Sequence, residues 1–419
     1  MNAPRPLLPL DDALARLAAG SRGHRIAETE RISTFDGLGR VLARGVTSTL
    51  DVPPADNTGM DGWALRAEDV PKAGTVLPVS QRIPAGTPGQ PLEPGTAARI
   101  FTGGLIPPGA DAVVMQEQCE PIALKVGSGL GAVRVNAVPA VGQWIRRRGE
   151  DVLRGAEVLA AGSRLTPQAL GLAASVGVGT LEVLRRPRVA IFSTGDELRM
   201  PGEPLPPGAI YNSNRYTLRG LLLAAGCEVG DLGIVPDSLE ATRAALREAA
   251  AGHDLIVTCG GVSVGEEDHL KPAVQAEGEL EHWQLAIKPG KPLAFGRIRR
   301  DDGSQVLLIG LPGNPVSAFV THLLCVNPVL RVLQGMADAG LPKALPGIAG
   351  FDWPRPDKRR EFLRVRLADD GTLEAFPNQS SGVLTSAVWA DGLLDNPPQQ
   401  AIRRGDAVRW IPLAALLAG

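Results

Sequence analysis

Aromatic side chains are scarce in this chain of 419 residues, at 4% against 44% apolar residues in all, so its cores must be built mostly from Ala, Val, Leu and Ile. Cysteine is rare as well. Cys119, Cys227, Cys259 and Cys325 stand far apart with no CxxC pair, which excludes a zinc knuckle or a dithiol redox motif and leaves reduced thiols. The five histidines (24, 253, 269, 282, 322) show no HExxH spacing and read as structural or solvent-facing. Neither sign of charge dominates, since 43 Lys and Arg against 45 Asp and Glu leave a formal charge of −2. The basic clusters Arg146-Arg147-Arg148 and Lys358-Arg359-Arg360 are short and scattered, which argues against a nucleic-acid surface but leaves local phosphate sites open. No apolar run approaches the ~18 residues of a membrane span. The opening MNAPRPLLPLDDALARL sets prolines and two aspartates where a signal peptide needs unbroken apolar residues. The expectation is a soluble cytoplasmic protein with no membrane or nucleic-acid partner.

Glycine (50) and proline (36) are plentiful, which predicts many tight turns and short connections. The length predicts two to four domains. Residues 9–20 read as a helix with Asp11 or Asp12 near its start and Gly20 at its end. Residues 166–177 read as another, with Thr166 as cap, Pro167 at the first helical position and Gly177 as the stop. Between them lie short β-prone runs broken by Gly and Pro, an all-β region that looks inserted into the helical part. From 187 the pattern changes. RVAIFS (188–193), EVGDLGIV (228–235), DLIVTCG (254–260) and QVLLIGL (305–311) read as buried strands separated by helical patterns, which predicts a doubly wound, mostly parallel α/β sheet. After about 345, short alternating runs such as EFLRVRLAD and DAVRWIPL predict a small terminal β domain.

In an open α/β sheet the ligand crevice lies beyond the carboxyl ends of the strands. Here those positions carry Ser193-Thr194-Gly195-Asp196-Glu197, then Pro236-Asp237, then Gly260 to Asp268 (GGVSVGEED), then Gly310-Leu311-Pro312-Gly313-Asn314-Pro315. Small residues let backbone N–H groups approach phosphate, and carboxylates hold Mg²⁺. Each segment also has a plainer role: Gly260-Gly261 as a turn, Glu266, Glu267 and Asp268 as first-turn acids on a helix dipole, Asp237-Ser238 as a helix cap. The run is neither a Walker A loop nor a GxGxxG. Ile287-Lys288-Pro289-Gly290-Lys291-Pro292 sets two lysines three apart around a Pro-Gly turn, either a solvated loop or an anion clamp.

Eight ordered segments, DNTGMDGWA (56–64), IFTGGLIPPGADAVV (100–114), RRRGEDV (146–152), STGDEL (193–198), NSNRYTL (212–218), TCGGVSVGEEDH (258–269), AIKPGKPLAFG (286–296) and GLPGNPVSAF (310–319), resemble the signature segments of molybdopterin molybdenumtransferases, the MoeA and gephyrin E-domain family. The resemblance runs from about residue 5 to the end. It implies a multidomain α/β plus β fold: a split helical domain (1–45 and 146–180), an inserted β domain (46–145), a doubly wound, mostly parallel molybdopterin-binding-like α/β domain (181–340) and a C-terminal β-barrel (341–419). It also implies a reaction in which molybdate is inserted into adenylated molybdopterin with release of AMP and Mg²⁺ present. The implied assembly is a homodimer whose cleft joins the inserted β domain of one subunit to the α/β and terminal domains of the other, with a molybdopterin adenylyltransferase and molybdoenzymes as partners.

Carried over by position, the family's catalytic groups match Asp61, Glu197, Asp237, Asp268 and Lys288, with Glu197, Asp237 and Asp268 as metal ligands. Substrate binding falls to Thr102, Asp151, Thr194, Gly260, Gly261, Ser263, Lys288, Lys291, Pro292, Pro312, Pro315, Arg364 and Ser381. The chain departs from the family in having Pro54-Ala55 for Pro-Phe, and Cys259 where a serine is common. Two other readings compete: an adenylyltransferase-like step on molybdopterin, and a non-catalytic scaffold of the same fold.

Overall fold

The computed structural model describes residues 7–123, 129–261, 269–336 and 339–417. Its largest element is a six-stranded sheet in the order Glu228–Val235, Arg188–Thr194, Leu255–Cys259, Gln305–Leu311, Pro292–Arg299, Gly278–Gln284. The first four strands are parallel, Pro292–Arg299 runs against them, and Gly278–Gln284 pairs antiparallel to it. The four strands expected from buried apolar runs are therefore the parallel ones. Gly278–Gln284 escaped notice because its sequence, GELEHWQ, is mostly polar and buries only Trp283.

Apolar side chains cover both faces, as a parallel sheet requires. One face packs Ala245, Leu246, Ala249 and Ala250 of helix Leu239–Gly252 and Leu270, Ala273 and Val274 of helix Leu270–Glu277. The other face takes Leu218, Leu221 and Leu222 of helix Ser213–Ala224 and the long helical run Pro315–Leu333, which winds through a π turn at His322–Val326. That run corrects the expectation that no stretch reaches membrane-span length. Among the described residues it is the one helix long and apolar enough to cross a bilayer, at 19 residues and a mean hydropathy of 1.6, yet 94% of it is buried inside the protein. It is the core helix of the α/β domain.

Helix Leu10–Ser21 joins this core through Leu10, Ala13 and Leu17, rather than the small separate core of Leu42, Val46, Val152, Leu165, Ala173 and Val183 that residues 146–180 help to build. Gly20 does not end it. A Cβ there would sit 2.7 Å from Phe295, so the glycine serves close packing on the sheet. Helix Pro167–Ser175 does follow its sequence signals: Thr166 Oγ1 accepts from the Ala169 N–H, Pro167 opens the helix, and Gly177 follows with φ 81°.

The inserted region forms a six-stranded sheet, ordered Ala112–Met115, Gly62–Leu65, Ala97–Ile100, Thr75–Ile83, Ala132–Val135, Cys119–Ile122. The terminal domain pairs Leu345–Ile348, Ala407–Pro412, Gly392–Asn396, Arg360–Leu367 and Leu373–Ala375 in turn. A bridge from Ala349 to Leu373 returns the path to its start, which closes the barrel. One further pairing matters for the site. The two-residue strand Ile287–Lys288 lies parallel to Arg360-Glu361, so the lysine loop of the α/β domain is hydrogen-bonded into the terminal sheet.

Candidate active site

The carboxyl ends of the parallel strands open into a cavity of about 900 Å³, a volume at the upper end of the range for small-molecule sites. Backbone geometry shapes its floor. Gly260 has φ 94°, and a Cβ on it would come within 2.7 Å of the Thr194 carbonyl, so the third strand can end against the first only with glycine here. Gly290 has φ 104°, and a Cβ would meet Thr321 Oγ1 at 2.2 Å, which presses the lysine loop onto the core helix. Asn214 ties the floor together, donating from Nδ2 to the Gly313 carbonyl at 2.7 Å and to Cys259 Sγ at 3.0 Å. Cys259 in turn donates to the Pro312 carbonyl at 3.2 Å. Both bonds are ones a hydroxyl also makes, so a serine could stand in the place of Cys259 with the same contacts. Burial pushes the Cys259 thiol up to about 12, which leaves it inert as a nucleophile.

Of the expected residues, Thr194, Glu197, Asp237, Gly260, Gly261, Lys288, Lys291, Pro292, Pro312, Pro315 and Ser381 all line this cavity. The terminal domain supplies its far wall through Arg359 and the Gln379–Ser381 segment. That wall is fastened by the N–H of Val316 at the start of the core helix, which donates to the Ser381 carbonyl at 2.9 Å.

The two lysines of the loop are in different electrostatic states. Lys288 Nζ lies 3.3 Å from Glu361 Oε1 and 3.5 Å from Asp357 Oδ2. Glu361 is 0% exposed and also accepts from Trp353 Nε1 at 2.8 Å and Asn396 Nδ2 at 3.3 Å. Asp357 is held well below the usual carboxylate range, first by its hydrogen bonds from the Arg359 guanidinium, at 3.0 and 2.9 Å. Lys291, by contrast, is exposed on the cavity wall and forms no ion pair with a described residue. The clamp is thus one cation already neutralised by carboxylates and one open to an incoming anion.

Arg364 does not face the cavity. At 1% exposure its guanidinium is spent on Ser386 Oγ (3.1 Å) and the carbonyls of Phe362 (3.1 Å) and Ser380 (3.5 Å). Its backbone exchanges hydrogen bonds with the Gln379 amide, so it supports the wall from behind instead of touching a ligand. Asp61, Thr102 and Asp151 lie apart from the cavity lining. Thr102 donates to Asp61 Oδ1 from its N–H at 2.7 Å and its hydroxyl at 2.8 Å, and these bonds lower the Asp61 pKa. Asp151 is exposed, its N–H donating to the Val52 carbonyl at 3.0 Å. Ser263 and Asp268 lie outside the described residues. Sequence reasoning assigned no role to Asn214 or Arg359. The first stands inside the NSNRYTL segment and the second inside the Lys358-Arg359-Arg360 cluster, but only the fold shows that both face one cavity.

Three family models match in order along the chain: the MoeA N-terminal region (domain I and II) over residues 8–177, the "probable molybdopterin binding domain" over 190–332, and the MoeA C-terminal region (domain IV) over 346–413. The chain is 40% identical over 338 residues to a molybdopterin molybdenumtransferase of Haemophilus influenzae, covering 80% of this chain and 81% of that protein. The chain belongs to the molybdopterin molybdenumtransferase family. Molybdopterin molybdenumtransferase 2 of Mycobacterium tuberculosis is another relative, 38% identical over 86% of this chain and 88% of its own. A crystal structure of the molybdopterin biosynthesis moeA protein from Pyrococcus horikoshii superposes with a TM-score of 0.79 at 28% identity, covering 97% of this chain and 99% of that one.

Proposed function

We propose that this chain inserts molybdate into adenylated molybdopterin and releases AMP, acting as a cytoplasmic homodimer. Family membership makes it a transferase of molybdenum cofactor biosynthesis. The observation that carries the finer reading is the composition of the 900 Å³ cavity, where glycine turns and cations face carboxylates. Molybdate and phosphate are both tetrahedral oxyanions. Lys291 offers such anions an open charge, Arg359, paired with Asp357, adds only the N–H groups that this pairing leaves over, and the glycine turns let backbone approach a phosphate. Lys288, held in place by Glu361 and Asp357, presents a fixed ammonium at the same loop.

Magnesium suits the donor set on the opposite wall, because Glu197 and Asp237 supply hard carboxylate oxygens there. No cluster of three His, Cys, Asp or Glu forms among the described residues, and Asp268, the third ligand of the expected set, lies outside them. When bound, the ion neutralises charge on the phosphate that departs with AMP. The chain's own residues orient the nucleotide and hold the oxyanion beside it. In the homodimer, Asp61 and Thr102 complete the partner subunit's cavity, and a molybdopterin adenylyltransferase and molybdoenzymes act upstream and downstream.

The test is incubation of the full chain with adenylated molybdopterin, molybdate and Mg²⁺. AMP release that depends on molybdate, with molybdenum retained on the pterin product, is expected. Formation of adenylated molybdopterin from ATP, or AMP release indifferent to molybdate, overturns the reading in favour of the adenylyltransferase-like step. Absence of either reaction favours the scaffold.

A further inference from the structure

A second cavity, of about 520 Å³, lies on the inserted β domain and is lined by Trp63, Val79, Arg82, Arg99, Phe101, Gln116, Pro121 and Leu130. None of these residues lines the α/β cavity. Its charge arrangement is costly for folding alone. Arg82 and Arg99 are direct partners on neighbouring parallel strands, and like charges placed opposite each other destabilise a sheet. Neither guanidinium forms a salt bridge to a described carboxylate. Both lie over the Phe101 ring, at 4.8 and 4.7 Å from its centroid, and Arg99 also lies 5.2 Å from that of Trp63. Arg99 is anchored by hydrogen bonds to Gln116 Oε1 at 2.7 Å and the Gly62 carbonyl at 3.2 Å, whereas Arg82 is exposed.

We propose that this cavity is a separate binding site for a planar, phosphate-bearing heterocycle of the purine mononucleotide class. The two guanidiniums supply bidentate donors for one phosphate, which relieves the repulsion between them. Aromatic rings and arginine planes give a heterocycle a stacking surface, in a chain where such rings are scarce. A bare oxyanion leaves the rings unused, and a neutral ring leaves the charges unpaired. A mononucleotide satisfies both, and the volume falls in the ~300–1,000 Å³ range of small-ligand sites.

The experiment is equilibrium dialysis of radiolabelled AMP against the full chain, with adenosine and inorganic phosphate as competitors, on the wild type and on Arg82→Ala, Arg82→Lys and Lys291→Ala. Two classes of AMP site per chain are expected. Arg82→Ala should weaken one class about tenfold or more and leave the other intact, Lys291→Ala should do the reverse, and Arg82→Lys should fall between wild type and Arg82→Ala because it keeps charge but loses the plane. AMP should compete better than adenosine or phosphate alone. A single class that responds only to Lys291→Ala overturns this proposal and leaves the reading of the α/β cavity standing. A single class that responds only to Arg82 substitutions supports this site and counts against nucleotide binding in the α/β cavity. Binding unaffected by either Arg82 substitution, or none at all, overturns the proposal.

Discussion

The edge of the α/β sheet and the inserted β domain both carry residues that the sequence marks as functional, but they hold them in different ways. At the sheet edge, parallel strands and a shared pairing with the terminal barrel draw distant segments around one open cleft. In the inserted domain, Asp61 and Thr102 form an exposed clasp that lines no part of that cavity. The first region gathers glycine turns, cations and carboxylates around one space within a single chain. The second holds a carboxylate prepared by the Thr102 hydrogen bonds, away from that space.

The largest expected effect tests that division directly. Asp61→Ala and Asp237→Ala subunits, each inactive alone, should regain about half of wild-type activity when co-expressed with different tags and purified as the doubly tagged dimer, because both lesions fall in one of its two clefts. A doubly tagged dimer as inactive as its parents would show that each site is built within one chain.

Gly260→Ala comes next. Its Cβ would enter the Thr194 carbonyl's space in a left-handed backbone, so strain of about 1–3 kcal/mol should appear as a lowered urea midpoint together with loss of molybdate-dependent AMP release. An alanine variant with wild-type midpoint and turnover would mean that the strand ends can part freely.

The two lysines sharpen the contrast within the sheet-edge cavity. Lys291→Ala should raise the molybdate KM about tenfold, which corresponds to about 1.4 kcal/mol, while stability stays within about 0.5 kcal/mol. Lys288→Ala should weaken molybdate use as well, but its distinguishing mark is on stability. It leaves Glu361 buried without its cation, and because Lys288 is itself 39% exposed the cost should be only about 1–2 kcal/mol. Equal urea midpoints for the two variants would erase the difference between them.

The smallest effect concerns pH. Thr102 lowers the Asp61 pKa through its N–H first and its hydroxyl second. The clasp's contribution is therefore fully present above the ordinary carboxylate pKa and is lost as pH falls through the lowered folded value. Between pH 5 and 8 the Asp61 carboxyl signal in an NMR titration should stay flat, and Thr102→Val should move its midpoint upward at acid pH. A midpoint that does not move would remove the hydroxyl from the account.

Much of this was legible in the chain itself. The apolar runs at 188–193, 254–260 and 305–311 are strands whose two faces are both buried, and a run of that kind has few other stable places, while 228–235 pairs at the edge of the same sheet and buries only Val235. Residues immediately after those strands meet at one edge by topology, so the segments that hold Thr194, Glu197, Asp237 and Gly260 were legible from order along the chain, while the choice of Glu197 and Asp237 within them came from the family resemblance. Local rules also fixed caps such as Thr166 and Ser238, whose hydroxyls accept from N–H groups three residues on. Contacts between segments far apart in sequence were not legible. Whether Arg364 touches a ligand or fills a core, whether Lys288 or Lys291 carries the open charge, and that Asn214 and Arg359 face the same space depend on which chain segments the tertiary fold brings within about 3 Å. Charge and hydrogen-bonding capacity belong to a residue type, but burial and partner choice belong to its surroundings, and those exist only once the barrel has closed against the sheet.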